Sequence, residues 1–522
     1  MSDLRAFKGT VIKAAGIVLA MSVIGRLAGF VREQVIASHF GTSAVTDSYL
    51  MAFTISSMIY VIIGGALSTA FIPVFSQYLV DQDEDQGWRV TSSVISTAAL
   101  SMTVITVLGI ILAPYLVRLF APGFDTSQVV LTTKLTRIMF PTVVFSVLTM
   151  LVGGILNSYR HFAAPALAAA AFSLTVVVSV IALAPTLGVT GLAIGTLLAT
   201  MAQVLVQLPS LKKYLVRYRP CLDWKDPGVR RIWSLMVPAL GGTAVTQAYL
   251  VIDRIIASGL PAGSIAALNF ANKLMFLPFN LFVLAINTAI FPVLSAQASK
   301  GDMDEVSRTT QFGLRLTALL IIPCAVGLLV LAKPIVRLVF ERGAFDANST
   351  EMTAFALGFF SLGLFFQGGY NILNRAFYSI KDTKTPLKIS IGVVIINIIL
   401  SLLLVRPLQH GGLALANSLS AICSFGISYM LLRKKLVYVK GESFLRGIRG
   451  VLLSAGIMGA VLVGLEQVMN APSVHLNLMV QVMVLLAAGV LFYGVSTVVF
   501  RVEEVRWVLE RAPGLKNFGL GK

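Results

Sequence analysis

The chain has 522 residues, of which 57% are hydrophobic and 12% charged, and its mean hydropathy is +0.87. A soluble domain carries about 25% charged residues, so the composition excludes a soluble globular protein and indicates a polytopic membrane protein. Three scattered cysteines (Cys221, Cys324, Cys423) and four dispersed histidines (His39, His161, His410, His475) exclude a disulfide framework and any metal or redox motif.

At the N-terminus, "MSDLRAFKGTVIKAAGIVLAMSVIGR" places Lys8 and Lys13 ahead of an apolar stretch, as a signal peptide would. It shows no small-residue cleavage site, and the hydrophobic pattern continues past Arg26, so it reads as a retained first transmembrane helix. Apolar spans of about 20 residues or more follow near 12–38, 48–78, 90–118, 130–158, 163–185, 187–211 and 232–257. Others fall near 264–297, 309–336, 349–374, 385–405, 411–432, 447–468 and 476–500. The expected fold is therefore all-α, with about fourteen transmembrane helices and both termini on one side.

Most of the 41 Lys and Arg fall on the side of the N-terminus, among them Lys212, Lys213, Arg217, Arg219, Lys225, Arg230 and Arg231 in one loop. The opposite side receives Arg118, Lys333, Arg337, Arg342 and Arg406. The basic side is cytoplasmic by the positive-inside rule. The net charge of +18 is thus topological, and no nucleic acid is needed to explain it.

An internal repeat runs through the same order. "IAS" at 36–38 recurs at 256–258, and "AFIPVFSQ" at 70–77 resembles "AIFPVLSAQ" at 289–297. "RLFAPGFD" at 118–125 resembles "RLVFERGAFD" at 337–346, and "ILN" at 155–157 recurs at 372–374. "GLAIGTLLA" at 191–199 resembles "GLALANSLSA" at 412–421, and "KKYLV" at 212–216 resembles "KKLVY" at 434–438. The offset stays between 217 and 222 throughout. An even number of helices per unit makes the two halves parallel repeats, with a substrate site expected between them. The boundaries read as a first lobe over 1–218, a second over 219–440, and two unrepeated helices with a tail over 441–522.

Charges inside the spans mark the site. A cation at mid-bilayer costs about 2.5–3.5 kcal/mol on insertion scales and usually lines a polar path or cavity. Arg26 lies near the middle of the first span; Arg32 follows a turn and a half later, rotated by about 240°. A bend at Gly29 would let both line one wide cavity. Asp47 opens the second helix, positioned to cap its N-terminus or pair with an Arg. Lys273, in "ALNFANKLMFLPFN", adds a cation in the second half. Arg137, Arg254 and Arg315 read as members of structural ion pairs. Three cations with too few acids to neutralise them favour an anionic ligand, and guanidinium suits phosphate through paired hydrogen bonds. No nucleophile–base set and no phosphate-cradling loop is present, so an enzyme is not expected.

"GRLAGFVREQVIASHFGTSAVTDSYLMAF", "APGFD", "ILNSYRHFAAPA", "ANKLMFLPFNLF", "ERGAFD" and "NRAFYSIKDTKTPLK" together resemble the MurJ (MviN) family of lipid II flippases. That family belongs to the multidrug/oligosaccharidyl-lipid/polysaccharide exporter superfamily. The resemblance covers nearly the whole chain. It implies fourteen helices in two MATE-like lobes, alternating access, and transfer of undecaprenyl-pyrophosphate-linked peptidoglycan precursor from the inner to the outer leaflet of a bacterial cytoplasmic membrane. It also implies that the last two helices line a groove for the lipid tail; on that footing no essential charge is expected at Glu466 or His475. Arg26, Arg32 and Asp47 match functional positions of the family. Lys273 stands where many members have Arg, Asn272 where many have Asp, and "AFTISSMIYVIIGGALSTAF" lacks a basic residue the family carries.

The superfamily includes cation-coupled members, which directs attention to Asp253 in "AYLVIDRIIAS". Asn397 and Ser401, four residues apart on one face of the eleventh span, add neutral oxygens for Na⁺, whereas a lone carboxylate suits a proton. A salt bridge from Asp253 to a neighbouring helix is the alternative. The alternative function is a cation-coupled multidrug exporter, or an exporter of another glycolipid or polysaccharide, from the same superfamily. No cofactor is expected beyond a coupling ion. The partners are lipid II and cell-wall synthesis enzymes, and the protein is read as a monomer.

Overall fold

In the computed structural model, residues 21, 23–436, 441–469 and 476–505 are described, and no strand occurs among them. Helix α1 covers residues 23–40. It is followed by α2 (Ala44–Val80), α3 (Glu84–Phe120), α4 (Thr126–Met139), α5 (Thr142–Ser158), α6 (Ala163–Leu187), α7 (Val189–Leu215) and α8 (Pro227–Ser258). Then come α9 (Ser264–Pro278), a π-helical turn (Phe279–Val283), α10 (Leu284–Ser299), α11 (Met303–Val330), α12 (Ala332–Phe340), α13 (Ala347–Ser379), α14 (Lys384–Lys435), α15 (Gly441–Met469) and α16 (Leu478–Val499). Among the described residues, eleven helical segments are long and apolar enough to cross a membrane, so this is a multi-pass membrane protein.

Several apolar spans are broken where the sequence pattern runs on. The span at 130–158 is two helices because Phe140 and Pro141 form a turn between α4 and α5. The span at 309–336 breaks at Leu331, where α11 gives way to α12. Hydrophobicity, which sets the span, is blind to these local changes of backbone hydrogen bonding.

The repeat reappears in backbone detail. Asp125 caps α4 by accepting from the Gln128 amide at 2.7 Å, and Asp346 caps α13 by accepting from the Ser349 amide at 2.8 Å. Those amide hydrogen bonds hold both carboxyls below the usual carboxylate range. The stabilisation they give is present at neutral pH and is lost as pH falls through the lowered value. Between α6 and α7 the chain reverses on Gly188 (φ 55°, ψ −138°), and α14 reverses on Gln409 (φ 49°, ψ −129°). A Cβ on Gly191 would lie 2.8 Å from Leu183 backbone, and one on Gly412 would lie 2.2 Å from the Leu404 carbonyl oxygen. α14 is thus two antiparallel crossings joined by the same reversal that separates α6 from α7.

Gln409 occupies a backbone region that suits glycine, at a strain of about 1–3 kcal/mol. Gln409→Gly is expected to raise the thermal midpoint of the purified protein, with a gain of about 1 kcal/mol. Gly188→Gln is expected to lower it.

The chain divides into two compact units, Met1–Ala266 with Arg342–Phe345, and Ala267–Glu341 with Asp346–Lys522. In the first unit, α2 is the organising element. Gly64 faces Met150 and Val147 of α5, Gly65 faces Thr243 of α8, and Thr243 Oγ1 donates to the Ile62 carbonyl at 3.3 Å. In the second unit, Leu331, Met458, Leu462 and Leu485 form a buried cluster that joins α15 and α16 to the α11–α12 junction. The Tyr493 hydroxyl donates to the Leu319 carbonyl at 2.7 Å, tying α16 to α11.

Candidate functional site

Helix α1 is helical throughout residues 23–40, and Gly25 and Gly29 lie on its face toward α6. A Cβ on Gly25 would lie 3.5 Å from Ala169 Cβ, and one on Gly29 would lie 3.8 Å from Ser173 Oγ, both on α6. This small-xxx-small spacing lets two membrane helices approach closely without a hydrophobic driving force. Arg26 and Arg32 flank Gly29 at about 60° to either side on an ideal helix, and their surroundings differ.

Arg26 is exposed, beside the exposed Val23, Ile24 and Leu27. Arg32 is half-buried. Its Nη2 lies 2.6 Å from Glu33 Oε1, with the two side chains 20% and 9% exposed. Its guanidinium sits 5.3 Å from the centre of the Phe172 ring of α6. Tyr49 and Tyr60 of α2 are within its electrostatic reach. Tyr49 is buried and shares a hydrogen bond of 2.9 Å with Thr196 of α7. Neighbouring residues on a helix do not face each other, so the pairing of Arg32 with Glu33 requires both long side chains to turn toward one another. An ion pair with these exposures costs more desolvation than a surface pair and depends on this geometry.

Asp47 does not cap its own helix. Ser43 does that, accepting from the Thr46 amide at 3.3 Å. Asp47, 2% exposed, instead accepts from the Gly263 amide at 2.6 Å and the Ala266 amide at 2.8 Å, and so caps α9. Position explains this. The carboxylate lies four residues beyond Ser43, past the free amides of α2, and the unsatisfied amides of α9 are what it meets. Arg254 Nη1 donates to the Ile265 carbonyl in the same turn at 3.2 Å.

Two further contacts surround this turn. The Ala344 amide donates to the Ser38 carbonyl at 2.7 Å, and a Cβ on Gly343 would lie 2.2 Å from that oxygen. The Gly123 amide donates to Ser258 Oγ at 3.2 Å, and a Cβ on Gly123 would lie 2.6 Å from the Ser258 carbonyl oxygen. Ser38 and Ser258 are the serines of the two "IAS" segments, and Gly123 and Gly343 belong to the matched "APGFD" and "ERGAFD" turns. Each turn therefore seats on the helix end of the other repeat. The signal was present in the sequence offset, but not which repeat would receive which turn.

Lys273 is exposed on α9, in the second unit. Asn397 and Ser401 of α14 are 3% and 0% exposed and belong to the same unit. Ser401 Oγ and Asn397 Nδ2 make no hydrogen bond with described residues. Asp253 lies on α8 in the first unit; its Oδ1 is sealed from solvent and likewise lacks a described hydrogen-bond partner. Of the three arginines read as ion-paired, only Arg315 forms an ion pair among the described residues, with Glu503 at 3.1 Å and Glu504 at 3.6 Å. Arg137 donates to the Ile110 carbonyl at 3.2 Å, and Arg254 to Ile265 as above. Glu466 is half-buried on α15, and His475 lies outside the described residues. Glu33 and Phe172 had no place among the expected site residues. Glu33 was visible as an acid beside Arg32 in the apolar helix, whereas nothing in the sequence singles out Phe172.

A family model described as "Lipid II flippase MurJ" matches residues 36–485. A lipid II flippase MurJ of Burkholderia cenocepacia is 34% identical over 454 residues, covering 84% of this chain and 88% of that protein. A probable lipid II flippase MurJ of Vibrio cholerae is 33% identical, covering 82% and 84%. Among solved structures, a lipid II flippase MurJ in an inward closed conformation matches with a TM-score of 0.80 at 26% identity, covering 94% of this chain and 99% of that one. An inward-facing multidrug resistance MATE family transporter matches with a TM-score of 0.68 at 13% identity, covering 81% and 98%, which is a likeness of fold.

Proposed function

The chain belongs to the lipid II flippase MurJ family, and we propose on that basis that it carries lipid II from the cytoplasmic to the outer leaflet of the bacterial cytoplasmic membrane. It is a transporter working by alternating access, and it catalyses no bond-making step. The observation that carries the reading is Arg32, a half-buried guanidinium on an apolar helix within a chain that matches the family over residues 36–485. Guanidinium gives a diphosphate paired, charge-assisted hydrogen bonds that an apolar surrounding strengthens. In this reading Arg26 and Arg32 hold the diphosphate, and Lys273 adds a point charge. Asp47 serves the same site through the turn that it caps. Both termini face the cytoplasm, and the protein works as a monomer beside the cell-wall synthesis enzymes. Depleting the protein and measuring which leaflet accumulates lipid-linked precursor tests the reading. Accumulation in the inner leaflet is expected, and an unchanged distribution would overturn it.

Lysine offers a charge without the planar fork of arginine. Lys273→Arg is therefore expected to keep most transport, whereas Lys273→Ala loses it. Equal rates for Lys273→Ala and wild type would remove Lys273 from the site.

The same reading assigns Asp253, Asn397 and Ser401 to a coupling cation, Na⁺ or a proton. Its support is that Asp253 Oδ1 and Ser401 Oγ are buried without a described hydrogen-bond partner, since such oxygens are costly unless a partner or ion occupies them. Transport by Asp253→Asn, with the Na⁺ gradient and the membrane potential varied separately, is expected to lose its ion dependence. Unchanged dependence would take Asp253 out of the mechanism.

A further inference from the structure

The segment that joins the two sequence repeats turns its polar side inward. Residues 216–226 run across α3 between the end of α7 and the start of α8. The buried Ser93 accepts from the Asp223 amide at 3.0 Å and donates to the Asp223 carbonyl at 3.2 Å. The buried Ser92 accepts from the Arg219 amide at 3.2 Å, and the Tyr218 hydroxyl shares a 3.4 Å hydrogen bond with Ser96. Gln86 Nε2 donates to Asp226 Oδ2 at 2.7 Å and fixes the far end of this strap. With backbone and hydroxyls turned to α3, apolar side chains are left outside. Val216, Leu222 and Trp224 are 86%, 54% and 61% exposed. In water that arrangement leaves apolar surface unburied, which the hydrophobic effect opposes.

Helix α3 sets the depth of the strap. Arg89, Ser93, Ser96, Leu100, Val104 and Val107 recur at intervals of three and four residues and so share one face. Leu100, Val104 and Val107 are exposed on a helix long and apolar enough to cross a membrane, so this face meets lipid. Ser96 and Ser93 precede Leu100 by about 6 Å and about 10 Å along the helix axis. Interfacial layers widen a hydrocarbon core of about 30 Å to about 40–45 Å. The strap therefore runs at headgroup level on the lipid-facing side of α3.

The charges beside those apolar side chains are basic. Lys212, Lys213, Arg219, Lys225 and Arg230 are exposed. Arg217 pairs with Glu84 and Asp85, and Arg231 donates to Gln77, so both are already engaged. Of the acids in the segment, Asp226 caps α8 and Asp223 accepts from the Lys225 amide at 3.1 Å. Glu84 and Asp85 open α3 about 24 Å from Leu100, farther from the hydrocarbon than the strap. Trp collects at headgroup level, and each basic residue near the surface raises the preference for anionic lipid by about fivefold. We propose that residues 216–226 anchor the protein on an anionic phospholipid surface, with Leu222 and Trp224 inserted among the headgroups. Lys212, Lys213, Arg219 and Lys225 then lie on lipid phosphates. This partner is distinct from any transported molecule, and the assignment stands whatever the protein carries.

The test places full-length protein in nanodiscs of mixed phosphatidylcholine and phosphatidylglycerol, with one lipid or the other brominated high on its acyl chains. The fluorescence lost in Trp224→Phe isolates Trp224 from the other tryptophans. That component is expected to be quenched by the brominated lipids and shielded from aqueous acrylamide. Brominated phosphatidylglycerol should quench it at least about twofold more than the same mole fraction of brominated phosphatidylcholine. Arg219→Gln/Lys225→Gln should remove the difference. Leu222→Trp in the Trp224→Phe background moves the reporter to a second position on the same surface and should behave alike. Equal quenching by the two lipids would overturn the anionic partner. Access of acrylamide to both positions without lipid quenching would overturn the anchor, leaving a strap that faces water or a soluble acidic partner. Shielding from acrylamide without lipid quenching would overturn it too, because protein would then cover these side chains.

Discussion

Arg32→Ala is expected to abolish complementation of a flippase-depleted cell, whereas Arg32→Lys retains part of it. Alanine removes both the paired hydrogen bonds to phosphate and the ion-pair partner of Glu33, whose side chain is 9% exposed. Leaving a buried carboxylate without its counter-charge costs about 3–5 kcal/mol when burial is complete. The 20% exposure of Arg32 lowers the expected loss to about 2 kcal/mol. Stability and transport therefore fall together in the single variant and must be separated. In Arg32→Ala/Glu33→Gln the uncompensated charge is gone, so the thermal midpoint should return toward wild type while transport stays lost. If transport returns with the midpoint, Arg32 acts only by holding the helix together. Arg26 is exposed and has a lesser part in the packing, so Arg26→Ala should lose transport with little change in midpoint. Normal growth of both single variants would remove α1 from the ligand site.

The repeat, the helical class and the position of most helices were legible because they rest on hydrophobic period and on residues matched at one offset. The "IAS" and "GFD" matches predicted equivalent positions, and Asp125 and Asp346 do cap equivalent helices. What stayed hidden depends on where side chains reach in space. Asp47 was read as a cap of its own helix or a partner of an Arg, because sequence does not show that the amides of another helix lie within reach. That Gly29 faces α6 was likewise hidden, since sequence does not say which neighbour a glycine meets. Arg32 and Glu33 are neighbours in sequence, and only the structure shows their long side chains closing to a 2.6 Å contact. The placement of cations in an apolar helix could be read directly; their partners could not.

The last expectation concerns Asp47, whose carboxylate has two competing roles. As cap of α9 it accepts amide hydrogen bonds of 2.6 and 2.8 Å at 2% exposure. Hydrogen bonds to a charged group contribute about 1.5–3 kcal/mol each, and losing the acceptor also strands two buried amides. Asp47→Ala is accordingly expected to cost about 3 kcal/mol. The Ser43→Ala change at the ordinary cap of α2 costs about 1 kcal/mol by comparison. Asp47→Asn keeps one acceptor oxygen but turns an amide group toward a backbone N–H, so it should fall between them. The turn it holds is crowded on every side. A Cβ on Gly263 would lie 2.4 Å from the Thr42 carbonyl oxygen, and one on Gly41 would lie 2.3 Å from the Ala344 carbonyl oxygen. Backbone packed this closely cannot shift to rescue the stranded amides, so the full cost should appear in the thermal midpoint. Transport should then fall in the order of the midpoints, from Ser43→Ala through Asp47→Asn to Asp47→Ala. An Asp47→Ala protein with a wild-type midpoint and no transport would reverse the assignment, placing the carboxylate on the ligand instead of on the turn.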